Sequence, residues 1–500
     1  MQNALFDVAI IGGGINGCGC AADASLRGLS VALYEQDDIA SKTSSSSTKL
    51  IHGGLRYLEQ FQFSLVRKAL TERAVLLAIA PHLVHPIQFV LPTRHQSRPN
   101  WMVRLGLFIY DNLSQHNHLP HSQYLTRQTH ESYFSPLATE ITQGFSYYDG
   151  ATDDARLTLS NALLAKQHGA NIQLHTKLLD AKIQDNHWIL TLAPKHGTTY
   201  QIRAKAIINA TGPWVNEVDQ RLHMTTSQPI TLVKGSHIVV PKLYDGEQAY
   251  ILQHDDQRVI FVIPYHGYSM VGTTDVVFQE TLDQVVISES EMAYLLDIVN
   301  QYFQQSLQMN HVIHHWSGVR PLLASPGKSA RKLSRDYTIH WHHTALPSLS
   351  IYGGKITTYR QLAQDTLDKL AAFFPTMSPA KTAFTPLPGA KFGTMSLSQY
   401  QQYLHQQYPW LPEATKNRYL RTYGTRTELI LKDRQSLDDL GVCFATTVYA
   451  AEIDYLCQEE WARSLDDILW RRTKLGLHMQ PNEKLALKEF LQNMYHMPTT

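Results

Sequence analysis

The order of apolar and polar positions at the start of the chain predicts a strand, a helix and a second strand. Residues 7–11 form a short apolar run, helical spacing follows over 18–27, and residues 29–35 form a second apolar run. A strand, helix and strand in this order form a unit whose two strands run parallel in one sheet. The first part of the chain is therefore predicted to be α/β.

Farther along the chain the pattern changes twice. A helical stretch over 153–168 is closed by Gly169, whereas residues 230–275 are rich in short β-branched runs. After about residue 380 the apolar spacing becomes helical again. The clearest runs are 236–240 and 258–263 for strands, and 397–408 and 459–477 for helices. The linker before the helical part is predicted at three turn-forming residues, Pro386, Pro388 and Gly389.

Length and charge limit the classes of function. A chain of 500 residues is expected to fold as two or three domains. Its 44 basic and 43 acidic residues leave a net charge of +1, so no overall field attracts nucleic acid, and binding to an anionic membrane needs a local patch. The four cysteines form no CxxC pair, which favours a reducing compartment. The paired histidines at 314–315 and 342–343 lack zinc-ligand spacing, so no metal is expected.

Two features bear on the membrane. The first strand begins at residue 7, which leaves no room for a signal segment and favours a prokaryotic cytosolic location. The apolar run 74–80 is far shorter than the roughly 20 residues that span a bilayer, so we expect any membrane contact to be superficial. One candidate helix, over 98–110, suits a position in the membrane plane, although its periodicity fits an amphipathic core helix equally well. Its predicted apolar face is Trp101, Leu105, Phe108 and Ile109, flanked by Arg94, Arg98 and Arg104.

The turn between the first strand and helix has the spacing of a dinucleotide-binding loop. Gly12 permits the tight turn, Gly14 lets a pyrophosphate approach the backbone, and Gly17 lets the helix pack on the strand. Ile15 and Asn16 lie within the same turn. Glu35 ends the second strand, where a carboxylate can accept hydrogen bonds from a ribose diol. A chance glycine-rich loop would lack this strand, helix and acid in register.

Three further segments are candidates for contact with a long cofactor. The segment 41–57 offers many hydroxyl groups and paired glycines, although a polar linker before a helix has a similar composition. The segment 206–214 is an apolar strand closed by small residues. The segment 350–360 places two glycines and a lysine before a helix, and its simpler interpretation is a glycine cap with a solvated lysine. The predicted contacts are Thr43, Ser44, Ser45, Ser47, Leu50, His52, Gly53, Gly54, Ala210, Thr211, Gly212, Gly318, Gly354, Lys355, Ile356 and Thr357.

Together these motifs resemble the FAD-dependent glycerol-3-phosphate dehydrogenases of bacteria, in particular the aerobic, quinone-linked enzymes. The resemblance covers essentially the whole chain, and its most specific segments are the HGGLRY, GVRP and GGKxTTYR sequences in family order. The matching segments are 12–17, 44–57, 210–214, 234–240, 261–264, 272–275, 317–321, 353–360 and 466–474.

The resemblance implies an α/β fold with three parts. These are a doubly wound, Rossmann-like FAD-binding domain, a substrate domain with an antiparallel sheet, and a helical C-terminal domain. The FAD-binding domain is predicted to comprise 1–80, 147–215 and 345–380. The substrate and membrane-facing domain is predicted over 81–146 and 216–344, and the helical domain over 390–500.

Oxidation of a phosphorylated secondary alcohol needs an anion clamp and a proton acceptor. Arg56 and Arg320 are the predicted clamp because guanidinium groups match phosphate oxygens. His52 or His237 is the predicted base, since imidazole titrates in the useful range, and Tyr57 is expected to orient the hydroxyl group. Lys355 is expected to stabilise the anionic edge of the reduced flavin.

The resemblance also implies partners and a location. The expected substrate and product are glycerol 3-phosphate and dihydroxyacetone phosphate, and the expected acceptor is ubiquinone or another quinone. No second dinucleotide motif is found for NAD(P), and nucleic acid is not an expected partner. The family implies a peripheral position on the cytoplasmic face of the bacterial inner membrane, with a homodimer as one option. A glycerol-3-phosphate oxidase that uses oxygen would share every one of these motifs.

Overall fold

The computed structural model describes residues 4–94, 99–114, 118–224, 228–253, 258–324, 335–495 and 497. Its strands, numbered in chain order, are β1 Leu5–Ile11, β2 Val31–Tyr34, β3 Leu50–Ile51, β4 Val84–Pro92, β5 Gln123–Thr126, β6 Gln143–Thr152, β7 Asn171–Gln173, β8 Thr176–Gln184, β9 His187–Pro194, β10 Tyr200–Asn209, β11 Ile230–Val240, β12 Ala249–Gln253, β13 Val259–Tyr265, β14 Tyr268–Gly272, β15 Val276–Val277, β16 His314–Leu323, β17 Thr338–Trp341, β18 Ser348–Tyr352, β19 Cys443–Ala445 and β20 Val448–Tyr449. Its α-helices are α1 Ile15–Leu26, α2 Phe63–Ile79, α3 Asn100–Asn112, α4 Glu131–Phe134, α5 Asp154–Gln167, α6 Val215–Arg221, α7 Glu289–Tyr302, α8 Tyr359–Leu370, α9 Leu397–Gln407, α10 Glu413–Tyr423, α11 Thr427–Leu431, α12 Ala450–Glu459 and α13 Pro481–Tyr495.

The first sheet has a parallel centre in the order β7, β2, β1, β10 and β18, with β17 antiparallel at its edge. The hairpin of β8 and β9 joins the first half of β10. Both faces are buried: Val8 and Ile10 of β1 pack toward α1, α5 and α8, while Ala9 and Ile11 pack into a second cluster on the opposite face. A continuous apolar run is what a strand covered on both faces requires. The predicted doubly wound sheet is confirmed.

The second sheet has the order β15, β11, β14, β13, β12, β4, β6 and β3, with β16 along β11 and β5 beside β6. Its neighbours are antiparallel except β12 and β4. Alternate residues serve two clusters: Ile238 packs toward α7, and Val239 packs toward the cluster that includes residues of α2 and α3. Strand β3 pairs in this sheet although it lies in the segment predicted for the FAD-binding domain. The domain boundaries themselves stay a prediction.

The C-terminal part is helical as expected, but the predicted helix over 459–477 is wrong. Helix α12 ends at Glu459, and the chain then forms a π-helical turn over Asp467–Arg472 and a 3-10 turn over Leu475–Leu477. The wide turn is marked by the N–H of Thr473, which donates to the carbonyl of Ile468 five residues earlier. It lets two consecutive arginines, Arg471 and Arg472, reach one carboxylate, that of Asp38.

Helix α3 exposes an apolar face. Trp101 is 66% exposed and Phe108 is 64% exposed, and Met102 and Leu105 are also exposed, whereas Ile109 is half-buried. The alternative of a core helix is therefore wrong for this face. Arg104 is exposed on the same helix, Arg94 contacts the Tyr302 ring of α7, and Arg98 lies outside the described residues. Within the described part of the chain, no helix combines the length and apolar content needed to cross a bilayer.

Candidate active site

A large cleft lies where the carboxyl ends of β1, β2 and β10 meet strands of the second sheet. Ligands of open α/β sheets bind at this edge. The sequence-predicted residues that line the cleft are Gly12, Gly14, Ile15, Asn16, Glu35, Thr43, Ser44, Ser47, Leu50, His52, Tyr57, Ala210, Thr211, Gly212, Gly318, Arg320, Gly354, Lys355, Ile356 and Thr357. Six others are not part of its lining: Gly17, Ser45, Gly53, Gly54, Arg56 and His237.

The glycine turn is packed too closely for any side chain. Gly12 has a φ of +110°, and a Cβ there would lie 2.7 Å from the carbonyl oxygen of Ala210. A Cβ on Gly17 would lie 1.9 Å from the carbonyl oxygen of Gly12. Gly17 therefore acts from behind the cleft, because it lets α1 begin directly at the turn and point its N-terminus at the cleft.

Glu35 closes the end of β2. The N–H of Gly13 donates to Oε2 of Glu35 (2.6 Å), and the N–H of Asp37 donates to Oε1 (2.8 Å). Burial raises the pKa of Glu35 to about 7, despite these hydrogen bonds to its ionised form. The carboxyl group is thus held in a fixed orientation at the position where a ribose is predicted.

The hydroxyl-rich loop after residue 41 is anchored on both sides of the cleft. Oγ of Ser44 accepts the N–H of Ile15 (2.9 Å), and Thr43 donates to the carbonyl of Val319 (2.7 Å). Both the N–H and the hydroxyl of Ser47 bind Oδ2 of Asp154. The Ser45 hydroxyl turns away and donates to the carbonyl of Lys42. The loop therefore joins the glycine turn to the GVRP strand β16.

Cations gather at the other end of the cleft. Nη1 of Arg320 and Nη2 of Arg335 bind the two oxygens of Asp275, at 3.0 and 2.9 Å. Nζ of Lys355 lies over the Tyr57 ring, 3.8 Å from its centre. Burial alone would raise the pKa of Tyr57, but Lys355 and Arg335 outweigh it and hold that pKa below its ordinary value. Burial lowers the pKa of Lys355. We call Arg320, Arg335 and Lys355 the cation cluster.

The two candidate bases have different surroundings. His52 lines the cleft beside the cation cluster, and burial, followed by the charges of Lys355, Arg335 and Arg320, lowers its pKa to about 3. His237 is fully buried and stacked on Trp316, with Nε2 at 3.0 Å from Oγ1 of Thr48. Thr48 lines the cleft and His237 does not. Of the two candidate bases, the structure thus brings His52 to the cleft in which a substrate would bind.

Arg56 stands just outside the lining. It makes no hydrogen bond or ion pair with any residue that the structure describes, but its charge helps lower the pKa of Asp275, after those of Arg335 and Arg320. Gly53 and Gly54 lie behind His52, in the turn that leads to Tyr57.

Sequence reasoning missed several residues at this end of the cleft. Arg335 belongs to no glycine motif, and nothing in the local sequence distinguishes it from nearby basic residues. Asp275 and Phe261 fall inside segments of the family resemblance but received no role. The edge of the Phe261 ring faces His52, with ring centres 6.1 Å apart. Only the fold shows that these side chains converge.

The residues present fit a dinucleotide such as FAD. The glycine turn, the N-terminus of α1 and Glu35 all line the cleft, in the arrangement that holds the phosphates and ribose of a dinucleotide. In addition, Oδ1 of Asn16 is buried beside Gly354 and has no hydrogen-bond partner among the described residues. A buried amide oxygen without a donor is costly, and a bound cofactor can supply one.

Comparisons with known proteins agree with this site. A family model described as FAD dependent oxidoreductase matches residues 7–360, and the C-terminal domain of alpha-glycerophosphate oxidase matches residues 380–496. Glycerol-3-phosphate dehydrogenase of Pseudomonas aeruginosa is 48% identical over 499 residues, covering 99% of this chain and 96% of that protein. D-erythritol 1-phosphate dehydrogenase of Brucella abortus is 43% identical over 491 residues, covering 97% and 98% of the two chains.

A solved structure adds the cofactor. Glycerol-3-phosphate dehydrogenase from Bacillus halodurans, in complex with FAD, aligns with a TM-score of 0.78 and 26% identity, covering 99% of this chain and 90% of that one. The prediction that the cofactor is FAD is confirmed. The chain belongs to the FAD-dependent oxidoreductases and, within them, to the glycerol-3-phosphate dehydrogenase family.

Proposed function

We propose that the protein oxidises sn-glycerol 3-phosphate to dihydroxyacetone phosphate with FAD and passes the electrons to a membrane quinone. The observation that carries the proposal is the cation cluster. Arg320, Arg335 and Lys355 line the cleft together, whereas their acidic neighbours, Asp275 and Asp336, do not line it. A dianionic phosphate would complete the charge balance.

In this proposal Arg320 and Arg335 bind the phosphate, and Lys355, which the sequence predicts to stabilise the reduced flavin, adds a third positive charge beside it. Asp275 holds both guanidinium groups in place, because each of its oxygens accepts one of them. The Tyr57 ring supports the Lys355 ammonium group by a cation–π contact. The substrate would therefore be fixed at one end, with its carbon chain directed along the cleft past His52.

His52 is the proposed proton acceptor. Its imidazole is neutral because burial and the cation cluster lower its pKa. A bound phosphate would offset the same three cations, so substrate binding would raise the pKa of His52 toward the range in which imidazole accepts a proton. FAD, when bound, supplies the two-electron acceptor for the alcohol carbon. The protein would thus make its base effective only when the phosphate is in place.

The proposal is tested by rapid anaerobic mixing of the FAD-loaded protein with glycerol 3-phosphate. We expect the absorption band of the oxidised flavin to disappear rapidly after mixing. D-erythritol 1-phosphate is the second substrate to mix, because a relative of nearly equal similarity is named for it. Bleaching that is efficient with the erythritol ester and weak with the glycerol ester would reassign the substrate, and absence of bleaching with both would refute the activity.

The acceptor is tested separately, because an oxidase would share the whole site. Turnover with glycerol 3-phosphate is followed with ubiquinone and with oxygen as alternative acceptors. Quinone reduction with little peroxide is the expected result. Stoichiometric peroxide without quinone turnover would assign the protein as an oxidase.

The proposed location is the surface of the cytoplasmic membrane, with the exposed face of α3 as the contact. Its aromatic side chains stand beside the exposed Arg104, as a headgroup-level helix requires. In a flotation experiment with anionic vesicles, the wild type should float with the vesicles, and the double variant Trp101→Ser/Phe108→Ser should stay in the dense fraction. Phe384→Ser is the matched control, since Phe384 is 88% exposed elsewhere in the chain. Equal flotation of all three proteins would contradict this contact.

A further inference from the structure

We propose that Tyr110 of α3 is a positioning residue for the segment 52–57, which brings His52 and Tyr57 into the cleft. The readout of this inference rests in part on the proposed function. The Tyr110 hydroxyl accepts the N–H of Gly53 (2.9 Å) and donates to Oδ2 of Asp149 (2.6 Å). Oδ1 of Asp149 in turn binds Nη1 of Arg73 (2.5 Å).

The network joins three elements at one point of the segment. Tyr110 lies on α3, Asp149 on β6 and Arg73 on α2, and all three side chains are buried. Removing one member would leave buried polar groups of the others with fewer hydrogen-bond partners, which is costly because all three side chains are buried. The hydroxyl therefore fixes the distance of the segment from the second sheet.

Gly53 is closely fitted to this hydroxyl. A Cβ at Gly53 would lie 2.6 Å from the Tyr110 oxygen and 2.6 Å from a methyl carbon of Leu70. The backbone of the segment thus lies so close to Tyr110 that only glycine fits at position 53. A change on either side of this contact must move the segment or the ring.

The position of Gly53 sets that of the residues on both sides. The N–H of His52 donates to Oγ1 of Thr357 (3.2 Å), so the segment is held at two successive amides, one toward the GGKxTTYR turn and one toward Tyr110. With the backbone held in this way, the imidazole of His52 lines the cleft, and so does Tyr57, whose ring lies against the ammonium group of Lys355. Displacement of about 1 Å at a reacting group can cost a hundredfold in rate.

Tyr110 also occupies the inner side of a helix whose outer side is apolar and exposed. Leu107 and Tyr110 are buried, while Trp101, Leu105 and Phe108 face outward. One rigid element therefore carries both the exposed face and the hydroxyl that holds Gly53. Of the aromatic side chains on α3, Tyr110 is the member that points toward the cleft segment.

The test compares Tyr110→Phe with the matched control Tyr147→Phe. The Tyr147 ring lies 5.6 Å from that of Tyr110 and is equally buried, but its hydroxyl takes no part in the contact with Gly53. In anaerobic mixing with glycerol 3-phosphate, Tyr110→Phe should bleach about tenfold more slowly per bound flavin, and Tyr147→Phe should stay within twofold of the wild type. The visible circular dichroism of bound FAD should change in Tyr110→Phe only.

A double variant checks the contact itself. Gly53→Ala should slow bleaching, and Tyr110→Phe/Gly53→Ala should be less impaired than the product of the two single effects, because the hydroxyl that meets the new Cβ is gone. A Tyr110→Phe protein that unfolds more readily or holds less FAD, yet bleaches at the wild-type rate per flavin with an unchanged dichroism spectrum, has lost structure only and overturns the inference. If the wild type is not bleached, the proposed function fails. In that case the dichroism spectra still test whether Tyr110 positions the segment, because they do not depend on turnover.

Discussion

Two buried groups of charged side chains in this protein differ in how their charges are balanced. In the cleft, Arg320, Arg335 and Lys355 face a ligand space that their carboxylates do not line. In a second group, where α5 and the C-terminal part meet the loops after β2 and before β3, the cations and their carboxylates both lie away from the lining of the cleft. We call this second group the docking network, and its pairs are Arg156 with Glu460, Arg472 with Asp38, Lys474 with Asp153, and Lys49 with Asp154.

The docking network is closed to any ligand. Arg156 binds Glu460 through both terminal nitrogens, and Lys474 binds Asp153 at 2.8 Å. Burial alone would raise the pKa of Glu460, but Arg156 outweighs it, so the carboxylate stays ionised. Charges that are paired and buried away from the cleft fix the relative position of two elements. Arg320 and Arg335 share Asp275 but also line the cleft, where they can bind an anion. The contrast predicts opposite results for similar substitutions.

The largest effect is expected for Arg156→Met in the docking network. It would leave Glu460 buried without its main partner, which costs about 3–5 kcal/mol of unfolding free energy. Urea unfolding of the FAD-loaded protein measures the loss. The double variant Arg156→Met/Glu460→Leu should recover most of it, because no uncompensated charge remains. Equal stability of single variant and wild type would show that the pair contributes nothing.

Arg320→Met in the cleft should act on catalysis instead. Loss of one charged contact to a bound anion costs about 2–5 kcal/mol, so kcat/KM for glycerol 3-phosphate should fall at least about thirtyfold. The free energy of unfolding should change little, because Asp275 still has its ion pair with Arg335. Steady-state kinetics and urea unfolding of the same preparation check both halves. A variant that is unstable but active per bound flavin would place Arg320 with the docking network.

The sequence predicted the parts of this site that depend on neighbours along the chain. The turn from Gly12 to Gly17 and the acid at Glu35 follow from the spacing of strand, helix and glycine, which is local information. Arg335 could not be found in this way, since its partner Asp275 is 60 residues away and the pairing depends on the fold. The same reason explains why His237 was a candidate base: its place beside Gly235, in a segment of the family resemblance, is visible in the sequence, but its burial is not.

The C-terminal error has a similar origin. Apolar spacing over 459–477 fits a continuous helix, but the chain leaves the helical conformation after Glu459, where Trp461 has a φ of +59°. It then forms a wide turn in which Arg471 and Arg472 both reach Asp38, more than 430 residues earlier in the sequence. Helical periodicity describes which face is buried. It does not describe a distant carboxylate that widens a turn.

Sulfate should distinguish the two groups of charges without any reaction. As a tetrahedral dianion it should bind the cation cluster and stabilise the folded protein by about 1.4 kcal/mol at ten times its dissociation constant. The double variant Arg320→Met/Arg335→Met should lose this gain, and Arg156→Met should keep it. Thermal unfolding at matched ionic strength with chloride measures the difference. The same gain in all three proteins would indicate a general salt effect.

A pH effect concerns two buried histidines, one beside each group of charges. Burial lowers the pKa of both His52 and His82 to about 3, with the cation cluster as the second cause for His52 and Arg156 for His82. The ordinary value is 6.5, so between about pH 6.5 and 3 the unfolded chain takes up protons that the folded protein excludes. Stability is therefore lost as the pH falls, by up to about 1.4 kcal/mol per pH unit for each histidine.

Sulfate should reduce this acid sensitivity only through His52. A bound dianion offsets the cations that lower the pKa of His52, so that histidine takes up its proton in the folded state at higher pH, whereas His82 lies beside an arginine already paired with Glu460. Unfolding from pH 7 to pH 5 should show that sulfate makes the loss shallower in the wild type and in His82→Asn, but not in His52→Asn. If sulfate made the loss shallower in His52→Asn as well, the dianion would not act through the cation cluster, and the distinction between open and closed charge groups would fail.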